Sequence, residues 1–301
     1  HVNNGEPRRT KFIARRGSYH GVSVGALSVN SSPVVHRDIW DPMLINTKFV
    51  GETAEEVEDL IKFEGPDTIA GFITEPISVP KGMIVPPDDY WPKLREICDK
   101  YGVLLVADEV ITGFGRTGKM FAMEHWGVTP DLMTFAKGVT SGYQPVGGVI
   151  ATPKVYEAFV GGNDKTFFHG YTYSGHPAAA AAGLANLEII ERENLVQNAA
   201  DTGAYLRNQL EALREHSMVS HINGTGLMLA IQLVDDKATG EPLDPNTQKA
   251  KRLAEEIENR GMLTRTAPFL YLSPPLTLTR EEADEIVTII DDALTAVEQN
   301  G

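Results

Sequence analysis

Three apolar runs of this sequence close on residues that can ionise: 69–75 on Glu75, 103–109 on Asp108 and Glu109, and 132–137 on Lys137. Singly, each is unremarkable. An acid at the end of a strand is more often a cap or turn residue, and a lysine is usually a solvated charge. Their conjunction is more informative. Lys137 follows an apolar strand, precedes Gly138 and has no acid within five residues to pair with. Desolvation lowers the pKa of such a lysine and makes its amine a usable nucleophile or base. A carboxylate on a neighbouring strand is what a positively charged heteroaromatic nitrogen requires, and the combination suggests a pyridoxal phosphate site.

The elements that must hold these groups follow an α/β pattern. Thr53 to Glu56 reads as a capping box, after which Ala54, Val57, Leu60 and Ile61 share a helical face. Tyr90, Leu94, Ile97 and Tyr101 recur at helical spacing until Gly102 stops them. Between these helices lie short apolar runs without alternation, as in a parallel sheet covered on both faces; 146–151 is read as one more of them. In such sheets ligands bind beyond the carboxyl ends of the strands. An alanine-rich helix starts near Pro177, with Leu184, Leu187 and Ile190 as its larger packing residues. Beyond Glu193 come a charged helix to about Arg214, paired strands from His221 to Val234, and a helix over 249–260. A short hairpin around Pro268 and an amphipathic closing helix with a second capping box, Thr279 to Glu282, follow. The expected organisation is a mostly parallel sheet sandwiched by helices over 1–193 and a smaller α+β domain over 194–301.

Composition narrows the class. The 301 residues carry 27 basic and 41 acidic side chains, a formal charge of −14, which argues against a dedicated nucleic-acid or anionic-membrane binder. A single cysteine, Cys98, excludes an internal disulfide framework and a multi-cysteine zinc site. It lies beside Leu94, Ile97 and Tyr101 and reads as a small core residue. No apolar run approaches the roughly 20 residues of a membrane span, and a cytoplasmic, reducing setting is expected. Two rival motifs are weak. Gly113 to Gly118 spells the dinucleotide fingerprint, but residues intervene after the strand and no acid lies at the required distance. A glycine-rich turn that lets the chain approach other backbone is preferred. Gly21 to Gly25 spells a serine-hydrolase elbow around Ser23, yet a polar turn precedes it and loop is expected after it. No metal-ligand spacing occurs around His169 and His176.

The run Asp108-Glu-Val-Ile-Thr-Gly113-Phe-Gly-Arg-Thr-Gly118, followed by Pro130-Asp-Leu and Lys137-Gly138, resembles the signature of class III aminotransferases. Phe168-His-Gly-Tyr-Thr172-Tyr-Ser-Gly-His-Pro177 resembles the family segment that reaches into the neighbouring subunit's site. Ser18-Tyr-His-Gly21 and Thr74-Glu-Pro76 match two further motifs in the expected order, so the resemblance runs from near residue 10 to the end.

The resemblance implies fold type I, pyridoxal 5'-phosphate as cofactor, a homodimer with shared sites, and a ping-pong exchange between an amine donor and an oxo-acid acceptor. It implies that Lys137 forms the internal imine with the cofactor and that Asp108 pairs with the pyridine nitrogen. Val110 is expected against one ring face, Tyr19 against the other, and Thr172 on the phosphate across the dimer interface. Glu75 is expected near the substrate, and Arg265 is the candidate for a substrate carboxylate. The family's phosphate-holding glycine-serine segment does not precede Ser18, so an N-terminally truncated chain is expected. Glu75-Pro-Ile-Ser-Val-Pro-Lys-Gly82 departs from the ornithine-type members and, with Ser273-Pro-Pro-Leu276, is similar to the ω-amino acid (amine):pyruvate subgroup. An aminomutase, a decarboxylating member and a non-catalytic remnant remain alternatives.

Overall fold

The unbroken apolar runs of the sequence are strands of one six-stranded sheet. The computed structural model describes residues 1–33 and 35–299, and the chain divides into two compact units. The first holds residues 1–80, 86–113 and 121–188; the second holds 81–85, 114–120 and 189–301.

In the first unit, strands β1 (Lys11–Arg15), β2 (Thr47–Val50), β3 (Ile69–Thr74), β4 (Leu104–Asp108), β5 (Leu132–Phe135) and β6 (Gly148–Ala151) are ordered β2-β1-β3-β4-β5-β6. The first five run parallel. Strand β6 is antiparallel to β5, which corrects the expectation of one more parallel strand. Only a single-turn 3-10 helix, Lys137–Val139, lies between the two strands, so no crossover helix carries the chain back to its starting edge.

Helix α1 (Val24–Ser28) follows Ser23 where loop was expected, although no strand precedes that serine directly. Helix α2 (Ala54–Glu64) opens on the anticipated capping box, with the Glu56 amide donating to Thr53 Oγ1 and the Thr53 amide to Glu56 Oε2. Helix α3 (Tyr90–Tyr101) ends at Gly102, whose φ of 65° suits a residue without Cβ. Ala54, Val57 and Ile61 of α2 and Trp91, Leu94 and Cys98 of α3 share a core with Phe72 of β3 and Leu105 of β4. Cys98 is fully buried, and burial pushes its thiol up to about 12. Helix α4 (Pro153–Glu157) follows β6, and α5 (Pro177–Arg192) crosses the division between units. Ile190 of α5 is buried, but Leu184 is 69% exposed. Alanines surround the few large side chains there, so no strong stripe marks the covered face.

The second unit carries α6 (Leu195–Leu210), β7 (Val219–Thr225), β8 (Met228–Asp236), β9 (Glu241–Pro242), α7 (Gln248–Asn259), β10 (Phe269–Leu272) and α8 (Arg280–Glu298). Its sheet runs β10-β8-β7, with β9 on β8. The expected hairpin at Pro268 is absent: β10 pairs antiparallel with β8, so its partner is distant in sequence. Helix α6 stops at Leu210 and a 3-10 turn continues to Glu215. Leu206, Leu229, Ile231, Leu253, Ile290 and Leu294 join helices and sheet in one core. The glycines of the rival dinucleotide motif serve close backbone approach. Gly118 has a φ of 82°, and a Cβ there would sit 2.9 Å from Ala200 Cα.

Candidate active site

Parallel strands aim their final residues at one end of the sheet, and this chain puts its ionisable groups there. Asp108 is the last residue of β4, Glu75 follows β3 directly, and Lys137 lies two residues past β5. Tyr19 and His20 sit in the loop leaving β1. With Val110, these residues line one cavity of about 170 Å³. A cavity of roughly 150 Å³ admits a benzene ring, so the space suits one substituted six-membered ring.

Asp108 is 7% exposed and heavily engaged. Its Oδ1 accepts from the Val110 amide at 3.1 Å and from Thr134 Oγ1 at 2.9 Å, and its Oδ2 accepts from His20 Nδ1 at 2.7 Å. A carboxylate has about four acceptor directions, so one remains for a further donor. His20 Nε2 is buried and finds no partner. Val110, held by its amide to the carboxylate it neighbours, presents an apolar side chain to the same space.

Lys137 combines two departures from an ordinary lysine. Its backbone is left-handed, with a φ of 42°, a conformation that costs a non-glycine residue about 1–3 kcal/mol. Burial lowers the pKa of its amine, against the opposing charges of Asp108 and Glu75. An amine with a lowered pKa is more often unprotonated, and so nucleophilic, at neutral pH.

Glu75 is 5% exposed, and both its oxygens are occupied. Oε2 accepts from Arg15 Nη2 at 3.1 Å, and Oε1 accepts from the Tyr19 amide at 3.2 Å. Glu109, adjacent to Asp108, is fully buried. It accepts from the amides of Ala122 and Met123 and from Thr112 Oγ1, which anchors the turn after Val110. Burial raises its pKa against those hydrogen bonds.

Thr172 occupies an exposed turn and does not line the cavity. Arg265 is an exposed residue of the second unit, whose carbonyl accepts from the Tyr271 amide. Sequence reasoning assigned no role to His20, Arg15, Thr134 or Glu109. Three of them carried a signal: His20 stands inside the Ser18–Gly21 motif, Glu109 closes the apolar run 103–109, and Arg15 ends β1 as Asp108 ends β4.

The sequence matches the family described as "Aminotransferase class-III" over residues 1–294. The chain belongs to the class III aminotransferases. The cofactor of that family is pyridoxal phosphate, and the fold is that of its type I enzymes. The chain is 39% identical to the diaminobutyrate–2-oxoglutarate transaminase of Halomonas elongata, over 97% of this chain and 68% of that protein. It is 35% identical to a probable mitochondrial gamma-aminobutyrate transaminase of Oryza sativa subsp. indica, over 98% of this chain and 62% of that one. The chain thus spans about two thirds of the length of these relatives. Among solved structures it resembles an amine transaminase from an uncultivated Pseudomonas species in its PLP-bound form, with a TM-score of 0.92 and 40% identity. That match covers 98% of this chain and 72% of the other. A thermostable (S)-enantioselective omega-transaminase from Thermomicrobium roseum matches with a TM-score of 0.90 and 40% identity, over 98% and 70%.

The lining residues suit the ring end of such a cofactor. Asp108 keeps an acceptor direction free, Lys137 brings an amine, and Tyr19 and Val110 supply an aromatic and an apolar wall. The phosphate end is less well served, because Lys137 is the only lysine or arginine among the lining residues.

Proposed function

We propose that this aminotransferase moves an amino group from an amine or ω-amino acid to pyruvate or a similar oxo acid, in two half-reactions of ping-pong type. The observation that carries this reading is the placement of Asp108 and Lys137 on one ring-sized cavity. Pyridoxal phosphate, when bound, supplies a conjugated ring that takes up electrons from the carbon bearing the amino group.

The remaining work falls to side chains. Asp108 offers its free acceptor direction to the ring nitrogen, and its negative charge keeps that nitrogen protonated. Tyr19 and Val110 confine the ring between them. Lys137 would hold the cofactor through its amine and, when free, would move a proton to or from the carbon bearing the amino group. Glu75 lines the cavity and is proposed to stand near the substrate, and Arg265 is proposed to bind a substrate carboxylate. The amine and omega-transaminases among the similar structures support an amine donor.

We further propose a homodimer, with Thr172 donating its hydroxyl to the phosphate held by the partner. The surrounding segment supports this. Phe168 is 94% exposed, and the rings of Phe159, Phe167, His169 and Tyr171 follow one another at 5.2–5.3 Å without burial beneath other elements. Exposed aromatic surface of this kind marks a protein–protein contact. The single cysteine, buried and unpaired, suits the proposed cytoplasmic setting. Among the described residues no helix is long and apolar enough to cross a membrane.

The test is Lys137→Ala in the full-length gene product, with absorbance and turnover read together. Loss of the visible band of lysine-linked cofactor, and of amine-to-pyruvate transfer, is expected. Survival of both overturns the reading. Equilibrium sedimentation of the wild type and the cofactor affinity of Thr172→Ala test the dimer, which predicts a two-chain mass and looser binding.

A further inference from the structure

One buried ion pair joins Glu75, which lines the cavity, to Arg15, which does not. Arg15 and Glu75 have side chains only 6% exposed each. Arg15 Nη2 donates to Glu75 Oε2 at 3.1 Å and to the Glu75 carbonyl at 3.3 Å, so the guanidinium holds both ends of that residue. The other carboxylate oxygen, Oε1, accepts from the amide of Tyr19. Both oxygens of Glu75 are therefore committed to this chain.

We infer that Arg15 is a positioning residue of this site, which acts through Glu75 to fix the backbone beneath Tyr19 and to cancel a negative charge beside Lys137. The inference rests on the reading of Tyr19 and Lys137 as cofactor residues.

The tether follows from connectivity. Arg15 ends β1 and Glu75 follows its neighbour β3, so the pair is fixed by two adjacent sheet strands. Tyr19 lies on the loop that leaves β1, and its amide hangs from the same carboxylate. A hydrogen bond to an ionised group is stronger than a neutral one, and a carboxylate locked by a guanidinium cannot swing away. Tyr19 is 36% exposed and lines the cavity. Its precise placement thus depends on its backbone more than on surrounding packing.

The charge argument is independent. The titratable groups that line the cavity with Lys137 are Asp108 from β4, Glu75 beyond β3, and Tyr19 and His20 from the loop after β1. Two are acids, and both hold the lysine proton more tightly, against the effect of burial. Asp108 is needed as an anion in the proposed chemistry. Glu75 is not, and Arg15 neutralises it at short range. Without Arg15 a second uncompensated carboxylate would stand in a buried setting beside the amine, where charges act strongly.

Three variants separate these effects: Arg15→Met, Glu75→Gln, and the two combined. Two measurements are made on each. Amide hydrogen exchange of the peptide containing Tyr19 is followed in the cofactor-free protein. The pH dependence of pyridoxal phosphate uptake is followed by the visible absorbance of the lysine-linked form. Arg15→Met is expected to speed exchange at Tyr19 by about tenfold, the loss of one charge-assisted hydrogen bond, and to move the pH midpoint of uptake upward. Glu75→Gln turns the partner of the Tyr19 amide into a neutral oxygen and leaves Arg15 without its carboxylate, so exchange speeds as well and the midpoint moves downward. The double variant returns the midpoint to the wild-type value.

A purely structural pair would not give opposite pH shifts that cancel. Unchanged exchange in Arg15→Met overturns the tether, and midpoints that do not move in opposite directions overturn the charge argument. If Arg15→Met does not fold, unchanged exchange in Glu75→Gln overturns the tether, and a midpoint in Glu75→Gln that does not move downward overturns the charge argument. A wild-type protein that takes up no pyridoxal phosphate overturns the proposed function, while exchange in the cofactor-free protein still judges the tether.

Discussion

His20 donates through Nδ1 to Asp108 Oδ2 at 2.7 Å, from a side chain only 2% exposed. A carboxylate can only accept, so Nδ1 carries the proton, and the far nitrogen, Nε2, is buried without a partner. The imidazole is thus spent on orienting one carboxylate. Together with Thr134 and the Val110 amide, it leaves Asp108, which lines the cavity, a single free acceptor direction.

Removing that donor tests the arrangement. His20→Leu keeps the volume and deletes the hydrogen bond. Turnover of the amine half-reaction is expected to fall about tenfold, in line with one hydrogen bond to a charged group. The unfolding midpoint should stay within a few degrees of wild type. Single-turnover absorbance with an amine donor measures the first, and thermal denaturation the second.

Asp108→Asn retains a group able to meet Thr134 and Val110 but loses the charge. The expected loss in turnover is about 10²–10³-fold, typical of removing one preorganised electrostatic contact. Because Asp108 holds the Lys137 proton more tightly, the pH at which the amine becomes reactive should also move down. Steady-state rates across pH would show both effects, and a variant as active as wild type would count against the role proposed for Asp108.

Much of this arrangement is legible in the sequence. Asp108, Glu75 and Lys137 end apolar runs, and a parallel sheet must deliver such ends to one side. Arg15 follows the same rule, but its run is short and the next residue, Arg16, is also basic, so nothing marked it as buried. His20 and Thr134 escaped for another reason. Their roles depend on cross-strand and loop contacts with Asp108, which lies 88 and 26 residues away, and no local pattern encodes such a partner. The antiparallel turn of β6 and the distant partner of β10 were hidden likewise, because pairing direction depends on what the connection can span rather than on the strand itself.

Acid and base should act differently on the second unit. His216 joins Glu298 through Nδ1 at 2.9 Å and Asp291 through Nε2 at 2.8 Å, fastening α8 to the turn after α6. Burial lowers its pKa, but the two carboxylates outweigh this and leave it above the ordinary 6.5. Its contribution is therefore complete below pH 6.5 and is lost as pH rises through the elevated value. For Glu298, burial raises the pKa, but hydrogen bonds from Ser217 and His216 hold it below 4.5. Its contribution is complete above that pH and fades in stronger acid. The clamp is firmest between about pH 4.5 and 6.5. The unfolding midpoint of His216→Asn should match wild type above the elevated pKa and fall below it by about 2 °C at pH 5.5. Thermal scans across pH would reveal a constant difference if the clamp were irrelevant.

Gly203 on α6 tests the packing of the second unit. A Cβ there would lie 2.3 Å from both the carbonyl carbon and the oxygen of Gly226. Gly203→Ala should therefore destabilise by about 1–3 kcal/mol, the usual cost of overpacking. Urea titration would measure it, and a neutral result would mean that α6 can shift away from the turn between β7 and β8.

The position of β6 has a consequence for handling this protein. Among the described residues it is an edge strand of its sheet, and Val149 and Ile150 are 60% and 48% exposed. Such an edge presents free amides and carbonyls beside apolar side chains, which is the template on which foreign strands add. Concentrated or heated samples in which that rim is uncovered should accumulate dye-binding fibrillar material. A lysine at Ile150 should delay its appearance without disturbing the catalytic cavity.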